Sequence, residues 1–235
     1  MKKRSKQYCA QKKLIGAKTY SLKDSIKLIE TIKAQYSKHK FNQSLEITFS
    51  FSKTVLTKIN AAKFKIYTNL PCDNGKRLSI AILKPDSVAH STLNMLENIN
   101  IYNKNELINM LEHKQINFDI LYVPKETLKD LNRYKKTLES KSIFLNEITG
   151  TVIENNKFQN FLSDIKPYLS KYSMDKYGTL TGVIGKSSFS SENLFSNLLY
   201  MINLIKKHEI IGNFIKNISL SLTMSPSIKL DLTQI

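Results

Sequence analysis

The chain has 235 residues, of which 36 are Lys or Arg and 19 are Asp or Glu, so its formal net charge is +17 at pH 7. Hydrophobic residues make up 41% of the sequence, enough for one or two folded domains, which excludes a wholly disordered chain. Seven Gly and five Pro exclude a collagen-like or mucin-like composition.

The sequence predicts no disulfide framework, no metal site and no membrane span. Cys9 and Cys72 are the only cysteines and the four histidines are scattered, so we expect neither a bound metal nor a disulfide framework. The longest apolar stretch, 198–205, is interrupted by Asn203 and is far shorter than the roughly 20 residues of a membrane span. The basic N-terminus lacks the apolar segment of a secretory signal, and we expect the chain to be made where it works.

The first part of the chain predicts a helix followed by two strands. Ser21 and Asp24 are spaced as at a helix start, and apolar residues follow at near-helical spacing. Residues 44–51 alternate strictly between polar and apolar side chains, which predicts a half-buried strand. The apolar side carries Leu45, Ile47, Phe49 and Phe51, and the polar side carries Ser44, Glu46, Thr48 and Ser50. Another strand is predicted to begin at Phe64.

The middle of the chain has a different pattern. Residues 77–83 and 118–123 are nearly continuous apolar runs, typical of strands that are buried on both faces. Helices are predicted to begin near Asp86, after Asn103 and at Pro124, with Glu106 completing a cap for the second. Alternation of strand and helix predicts a parallel α/β unit.

After Gly150 the pattern returns to that of the first part. Residues 158–165 predict an amphipathic helix, and two short strands are predicted on either side of Gly178. Ser191 is predicted to cap a long helix. Residues 217–224 alternate again as a strand, and residues 227–232 form the final one.

We therefore predict an α+β composite domain formed by both chain ends, residues 1–66 and 158–235, with an inserted α/β domain at residues 67–157. Basic and acidic residues number 16 and 3 in 1–66, 12 and 11 in 67–157, and 8 and 5 in 158–235. Such an uneven distribution is typical of a protein that binds a polyanion through one domain. The alternative is a Lys-rich surface produced by an AT-rich genome.

One motif suggests an enzyme. Residues 185–187 read Gly-Lys-Ser, as at the end of a phosphate-binding loop, but the first glycine of that pattern is replaced by Leu180. The sequence has no nucleophile–base constellation that we can recognise, and we expect no enzymatic activity. A P-loop-like nucleotide hydrolase using Gly185, Lys186 and Ser187 is kept as the alternative, together with a reading of Lys186 as a simple phosphate contact.

The polar sides of two predicted strands form the other candidate site. These sides carry hydroxyl, amide and carboxylate groups, and a polar loop follows the late strand. Such groups can bind phosphates, 2′-hydroxyls and base edges of RNA, but they are also common on a solvated sheet face, and both interpretations stay open at this point. The residues are Ser44, Glu46 and Thr48 of the early strand, Asn217, Ser219 and Ser221 of the late strand, and Thr223, Met224 and Ser225 of the loop.

Several motifs, in order and at the right spacing, resemble one family, the large-subunit ribosomal protein L-one family. They run through most of the chain, and no single one is decisive. The motifs are Tyr20 to Ile26 (YSLKDSI), Lys40 to Glu46 (KFNQSLE), Leu70-Pro71 with Gly75-Lys76, Phe118-Asp119, Thr149 to Val152 (TGTV), Gly185 to Ser190 (GKSSFS) and Leu220 to Pro226 (LSLTMSP).

The resemblance implies a structural constituent of the large ribosomal subunit. Members of this family bind large-subunit rRNA at the mobile stalk near the E site and assist the release of deacylated tRNA, and many bacterial members repress translation by binding their own mRNA. The resemblance also implies a monomer within the ribosome, no cofactor, and Rossmann-like layering of the inserted domain. Its RNA contacts are expected at Phe41, Ser44, Glu46, Lys186, Asn217, Thr223, Met224 and Ser225, beside Ser219 and Ser221 from the strand pattern.

Two departures from the family pattern bear on this expectation. Ser225 replaces the glycine that follows Thr-Met in the family, and the family's Gly- and Pro-rich loop is replaced by residues 138–147 (LESKSIFLNE). We expect the first to alter close backbone approach to RNA and the second to alter contacts with tRNA. From the Lys, Asn and Ile bias we expect a ribosome in a mitochondrion first, with a plastid or a bacterial cytoplasm as the alternatives.

Overall fold

A computed structural model of the chain describes residues 5–36, 41–61, 64–73, 78–85, 99–145, 150–154, 161 and 169–234. The chain divides into two compact units. Unit 1 comprises Met1–Gly75 with Ser170–Ile235, and unit 2 comprises Lys76–Leu169.

Unit 1 is built on a seven-stranded sheet. In spatial order the strands are β1 (Thr19–Tyr20), β11 (Ile228–Leu230), β10 (Ile215–Leu222), β2 (Ser44–Phe51), β9 (Thr179–Lys186), β8 (Leu169–Met174) and β3 (Lys65–Asn69). The three central strands, β10, β2 and β9, are antiparallel. The predicted strand at 44–51 is confirmed with its bounds, and its apolar and polar residues alternate between buried and half-buried as expected.

Helices cover one face of this sheet. Unit 1 contains α1 (Lys6–Ile15), α2 (Leu22–Tyr36), α3 (Thr54–Lys58) and α7 (Ser191–Lys207). Apolar residues of α2 and α7, such as Ile29 and Leu198, lie in one core with Ile47 and Phe49 of β2. Burial of these side chains leaves the other face of the central strands half-exposed, and that face carries the polar residues.

The predicted helix starts are largely confirmed. The Ser21 hydroxyl accepts the Asp24 amide N–H at 3.1 Å, which caps α2. The cap of α7 is Ser190 and not Ser191 as predicted, because the Ser190 hydroxyl accepts the Asn193 amide N–H. The Ser191 hydroxyl instead donates to the Glu30 carboxylate of α2.

Unit 2 contains a four-stranded parallel sheet. Its order is β5 (Ile99–Tyr102), β4 (Ile80–Leu83), β6 (Ile120–Pro124) and β7 (Val152–Ile153). All residues of β4 and β6 are buried, which confirms the prediction of doubly covered strands in a parallel α/β unit. The helices described are α4 (Lys104–Glu112), α5 (Leu128–Leu131) and α6 (Lys135–Ser140).

Local details of unit 2 differ in part from the sequence prediction. Asn103 and Glu106 form the predicted capping box of α4. Pro124 ends β6 and precedes a short 3-10 helix, Lys125–Thr127, so it does not open an α-helix directly. The helices predicted near Asp86 and at 158–165 lie outside the described residues, apart from residue 161.

The unit boundaries lie later in the chain than the predicted domain limits. Strand β3 begins at Lys65 and belongs to the seven-stranded sheet, so unit 1 keeps the chain as far as Gly75, beyond the predicted limit at residue 66. The chain returns to unit 1 at Ser170 rather than at residue 158. The assignment of the two chain ends and the middle to separate domains stays a prediction.

Candidate nucleic-acid interface

The half-exposed side of the central strands, together with the adjoining strand β11, carries polar residues in register on four strands, and we term it the polar face. Thr48 of β2 lies opposite Ser219 of β10 on one side and Thr181 of β9 on the other. Ser219 in turn lies opposite Lys229 of β11. The polar face comprises Glu46, Thr48 and Ser50 of β2, Asn217, Ser219 and Ser221 of β10, Thr179 and Thr181 of β9, and Lys229 of β11.

Three chain segments meet at one end of the polar face. We term them the loop cluster, defined as residues 41–44, 186–188 and 222–225. The register places Ser44 opposite Lys186, and a bulge between Leu45 and Glu46 shifts the pairing there. These segments are far apart in sequence, and the pairing of β2 with β9 and β10 brings them together.

Side-chain amides and hydroxyls tie the first two segments to each other. The Asn42 side-chain carbonyl accepts the Ser187 hydroxyl at 2.9 Å and the Ser188 amide N–H at 3.1 Å, while the Asn42 amide donates to the Ser188 hydroxyl at 2.8 Å. The Ser187 amide N–H donates to the Gln43 backbone carbonyl at 2.7 Å. This reciprocal bonding fixes the chain directly after Lys186.

The third segment is tied to the first through Thr223. The Thr223 hydroxyl accepts the Ser44 amide N–H at 3.1 Å and donates to the Ser44 carbonyl at 3.3 Å. The Thr223 amide N–H donates to the same carbonyl at 3.1 Å, and the Met224 amide N–H donates to the Gln43 side-chain carbonyl at 3.3 Å. The Thr223 hydroxyl is therefore used within the protein, and its structural role is to position the loop.

Ser225 likewise turns its side chain inward. Its hydroxyl accepts the Leu222 amide N–H at 2.9 Å and donates to the Pro226 carbonyl at 3.1 Å. Its φ angle is not positive, since Lys114 and Ser142 are the non-glycine residues with positive φ in the described part of the chain. The residue that departs from the family pattern thus holds a tight turn through its side chain.

Two large apolar side chains protrude from the loop cluster. Phe41 is 52% exposed and Met224 is 53% exposed, although both belong to segments that are anchored by hydrogen bonds. Lys186, half-buried at the end of β9, has no ion-pair partner among the residues that the structure describes. An aromatic ring, a thioether and a cation at one fixed position can contact the bases, riboses and phosphates of an RNA.

The predicted site residues do not all lie at the loop cluster. Phe41, Ser44, Lys186, Thr223, Met224 and Ser225 lie within it. Glu46 and Ser221 are opposite each other on the adjoining part of the polar face, and Ser219 is further along. Asn217 pairs with Ser50 near the opposite end of the strands. The predicted residues thus extend over the length of β10 rather than forming one pocket.

A pair of lysines lies on strands β3 and β8 of the same sheet. Burial, together with the adjacent Lys171 ammonium, lowers the pKa of Lys65 to about 8. Lys65 is only 5% exposed, so its charged form loses hydration in the folded state. The sequence pattern identified neither residue, because a lysine within a short strand gives no indication of its neighbours.

The Gly-Lys-Ser motif does not form a phosphate-binding loop. Gly182 and Gly185 lie inside strand β9, and a side chain at Gly182 would overlap the ring of Tyr172. The Tyr172 ring is fully buried, and its hydroxyl donates to the Val183 carbonyl at 3.0 Å. Gly182 therefore makes room for a core aromatic residue, and Gly185 makes room for the side chain of Leu194. Because neither glycine belongs to a loop that could wrap a nucleotide, the hydrolase alternative has no structural basis.

Sequence reasoning missed the residues that assemble the loop cluster. None of Asn42, Gln43, Ser187 and Ser188 is among the predicted RNA-binding residues, although all four lie within two of the motifs that suggested the family. Ser187 was named only in the hydrolase alternative. Both motifs contain side-chain amides or hydroxyls, and this is the sequence feature that could have suggested hydrogen bonds between the two segments. Within the described ranges no group of His, Cys, Asp or Glu could hold a metal ion, and no helix is long and apolar enough to span a membrane.

Comparison with known proteins gives a consistent picture. The family model for the ribosomal protein L1p/L10e family matches residues 32–226. The large ribosomal subunit protein uL1 of Phytoplasma australiense is 31% identical to this chain, over 97% of each chain. The proteins of the same name from Mesomycoplasma hyopneumoniae (strain 7448) and Mycoplasmopsis pulmonis are each 29% identical, over 98% of both chains in the first case and over 99% of this chain and 100% of the relative in the second.

The organisms of these relatives also indicate a cellular location. All three are ribosomal proteins of bacteria, which agrees with a ribosome in a bacterial cytoplasm, one of the expected locations. The expectation of a mitochondrion is not supported by them. The Lys, Asn and Ile bias that suggested an organelle is equally compatible with a small AT-rich bacterial genome.

Proposed function

Because the chain belongs to the ribosomal protein L1p/L10e family, we propose that it is a structural constituent of the large ribosomal subunit, where it binds large-subunit rRNA at the mobile stalk near the E site. We assign the binding to unit 1, as a composite domain formed by both chain ends, and treat unit 2 as a separate, nearly neutral domain. The cellular compartment that fits this function is a bacterial cytoplasm.

The observation that carries the proposal is the loop cluster. Exposed apolar groups normally cost solubility unless they meet a partner, and here Phe41 and Met224 protrude from segments that hydrogen bonds hold in place. A preorganised surface loses little conformational entropy on binding, so more of its contact energy appears as affinity. Residues 1–66, which contribute Phe41 and Ser44, have 16 basic and 3 acidic residues and so carry +13 of the chain's net charge of +17.

In the proposed mechanism, charged and shape-complementary side chains make different contacts with the RNA. Lys186 supplies a point charge for a phosphate, and Phe41 and Met224 pack against a base or ribose. Glu46 can accept a hydrogen bond from a 2′-hydroxyl or a base amino group, whereas a phosphate contact is unfavourable because a carboxylate repels phosphate. The hydroxyls of Ser44, Ser219 and Ser221 supply orientation. Thr223 and Ser225 act by holding the loop, which revises the expectation that their side chains contact RNA directly.

The test is binding of the purified protein to the stalk fragment of bacterial large-subunit rRNA, measured by fluorescence anisotropy at several salt concentrations. A scrambled hairpin of equal length and charge is the control. We expect tight binding to the stalk fragment that persists at moderate salt, with much weaker binding to the scrambled hairpin. Equal affinity for both RNAs, falling steeply as salt rises, would mean that the protein is only a basic polyanion binder.

We extend the proposal to two further roles that the family resemblance implies. The first is assistance in the release of deacylated tRNA from the E site, which is tested by the rate of tRNA release from ribosomes with and without the protein.

The second is repression of translation by binding its own mRNA, which requires that this mRNA compete with the stalk fragment for the loop cluster. A variant of Lys186 should weaken binding to both RNAs in parallel.

A further inference from the structure

The turn between β8 and β9, which we term the Tyr177 turn and define as residues 175–178, has a fixed conformation. The Asp175 carboxylate accepts the amide N–H groups of Tyr177 at 2.9 Å and of Thr179 at 2.8 Å. The Asp175 amide N–H donates to the Thr179 carbonyl at 2.9 Å. Gly178 has φ +80°, a conformation that glycine adopts readily. The backbone that carries Tyr177 is therefore held from both sides.

Tyr177 is the most exposed of the large hydrophobic residues in the described part of the chain, with 71% of its surface accessible. The ammonium of Lys176 lies 5.0 Å from the centre of its ring. A cation beside an exposed aromatic face is the combination that single-stranded RNA-binding surfaces use, since the ring stacks on a base while the cation meets the adjoining phosphate.

The Tyr177 turn adjoins the polar face at the end opposite the loop cluster. The Phe51 amide N–H donates to the Gly178 carbonyl at 3.0 Å, which places the turn beside the end of β2. Ser50, Thr179 and Asn217 form the nearest polar row. Strand β9 has eight residues, so at about 3.3 Å per residue the turn is roughly 25 Å from Lys186. An RNA that contacts both ends must therefore span roughly 25 Å.

We propose that the Tyr177 turn is a second RNA contact, in which the Tyr177 ring stacks on an unpaired base and Lys176 binds a neighbouring phosphate. This inference rests on the proposed function. It explains why Asn217, far from the loop cluster, belongs to the same interface: the polar face runs continuously between two anchoring ends, each with an exposed apolar or aromatic side chain.

The chain has no tryptophan, so a Tyr177→Trp variant carries a single fluorescent reporter at the turn. We expect its emission to be quenched, with saturation, when the stalk rRNA fragment is added. The matched control is Leu199→Trp, because Leu199 is 40% exposed on α7, which packs on the opposite face of the sheet, and its emission should change little. Tyr177→Ala should weaken binding about tenfold, whereas Tyr177→Phe should bind like wild type because the ring is kept.

The outcomes separate this inference from the proposed function. Wild-type affinity for Tyr177→Ala, with no quenching of Tyr177→Trp and a clear loss for Lys186→Met, would overturn the inference and leave the proposed function intact. Unchanged RNA binding by Tyr177→Ala with poorer assembly into ribosomes would also overturn it, since the ring would then meet a protein. If wild type does not distinguish the stalk fragment from a scrambled hairpin, the proposed function fails, and the inference fails with it.

Discussion

Replacing Thr223 by valine tests whether the loop cluster must be preorganised. Valine has nearly the same shape but lacks the hydroxyl, so the bonds to the Ser44 amide and carbonyl, at 3.1 and 3.3 Å, are lost. A typical hydrogen bond contributes about 0.5–1.5 kcal/mol net. Both bonds are solvent-accessible and the second is long, so we take the low end and expect about 1 kcal/mol in total. The backbone bond from Thr223 to Ser44 is kept.

If these two hydrogen bonds stabilise the binding conformation of the loop by about 1 kcal/mol, their loss should lower the affinity for the stalk rRNA fragment about fivefold. Anisotropy titrations at three salt concentrations are the assay. The dependence of affinity on salt should not change, because the substitution removes no charge and releases no further counterion.

The matched control is Thr223→Ser, which keeps the hydroxyl and removes only a methyl group. It should bind nearly as tightly as wild type. Equal losses for Thr223→Ser and Thr223→Val would refute the reasoning, since the hydroxyl would then not be the group that matters. A loss of a hundredfold or more in Thr223→Val alone would also contradict it, because that would indicate direct recognition of RNA by the side chain.

Three further predictions follow from the geometry. Lys186→Met should weaken binding and reduce the slope of log affinity against log salt by about 0.7–0.9, as measured in the same titrations; an unchanged slope would exclude a phosphate contact. Gly182→Ala should destabilise the fold by about 3 kcal/mol in urea unfolding, because the new methyl group meets the Tyr172 ring, and a smaller residue at 172 should restore part of the loss. The pKa of Lys65 is lowered to about 8, against 10.5 for a free side chain. Between pH 8 and pH 10.5 the Lys65 amine is therefore protonated in the unfolded chain and largely neutral in the folded chain. Stability of wild type relative to Lys65→Met should therefore rise between pH 8 and pH 10.5, by at most about 3 kcal/mol, and a flat difference across that range would show that Lys65 keeps its ordinary pKa.

Local periodicity was sufficient to predict the strands that build the interface. Strand β2 has one face against a core and one half-exposed face, so every second residue is apolar and the pattern survives in the sequence. Strands β4 and β6 are covered on both sides, and their uninterrupted apolar runs are equally recognisable. In both cases the burial of whole side chains, a large energy, determines the pattern.

The contacts that assemble the loop cluster could not be predicted in this way. Thr223 bonds to Ser44, 179 residues away, and Asn42 bonds to Ser188, 146 residues away. Hydrophobic periodicity indicates which face of a strand or helix a residue lies on, but it does not indicate which distant residue it contacts. The same limit explains why the bonds of the Thr223 hydroxyl to Ser44 were not predicted.

Helix α1 was missed for a different reason. The segment is rich in Lys, its apolar positions are sparse, and only Gln11 and Ile15 are buried. Its ends are set by capping instead of by an apolar stripe. The Ser5 hydroxyl accepts the Tyr8 amide N–H at 3.2 Å, and Gly16 adopts φ +64° at the other end. A search for hydrophobic periodicity does not detect a helix of this kind.

The position of β2 in the sheet has a consequence for biosynthesis. Both neighbours of β2 come from much later in the chain, since β9 begins at Thr179 and β10 at Ile215. While the chain emerges from the ribosome that makes it, the apolar side of β2 has no sheet to join, whereas β4, β5 and β6 of unit 2 can already pair with one another. Such long-range pairing is intrinsically slow and leaves apolar surface exposed for longer. The polar face and the loop cluster can therefore form only after residue 225 has been synthesised. If they bind rRNA as proposed, an incomplete chain cannot compete with the finished protein for a place in a new subunit.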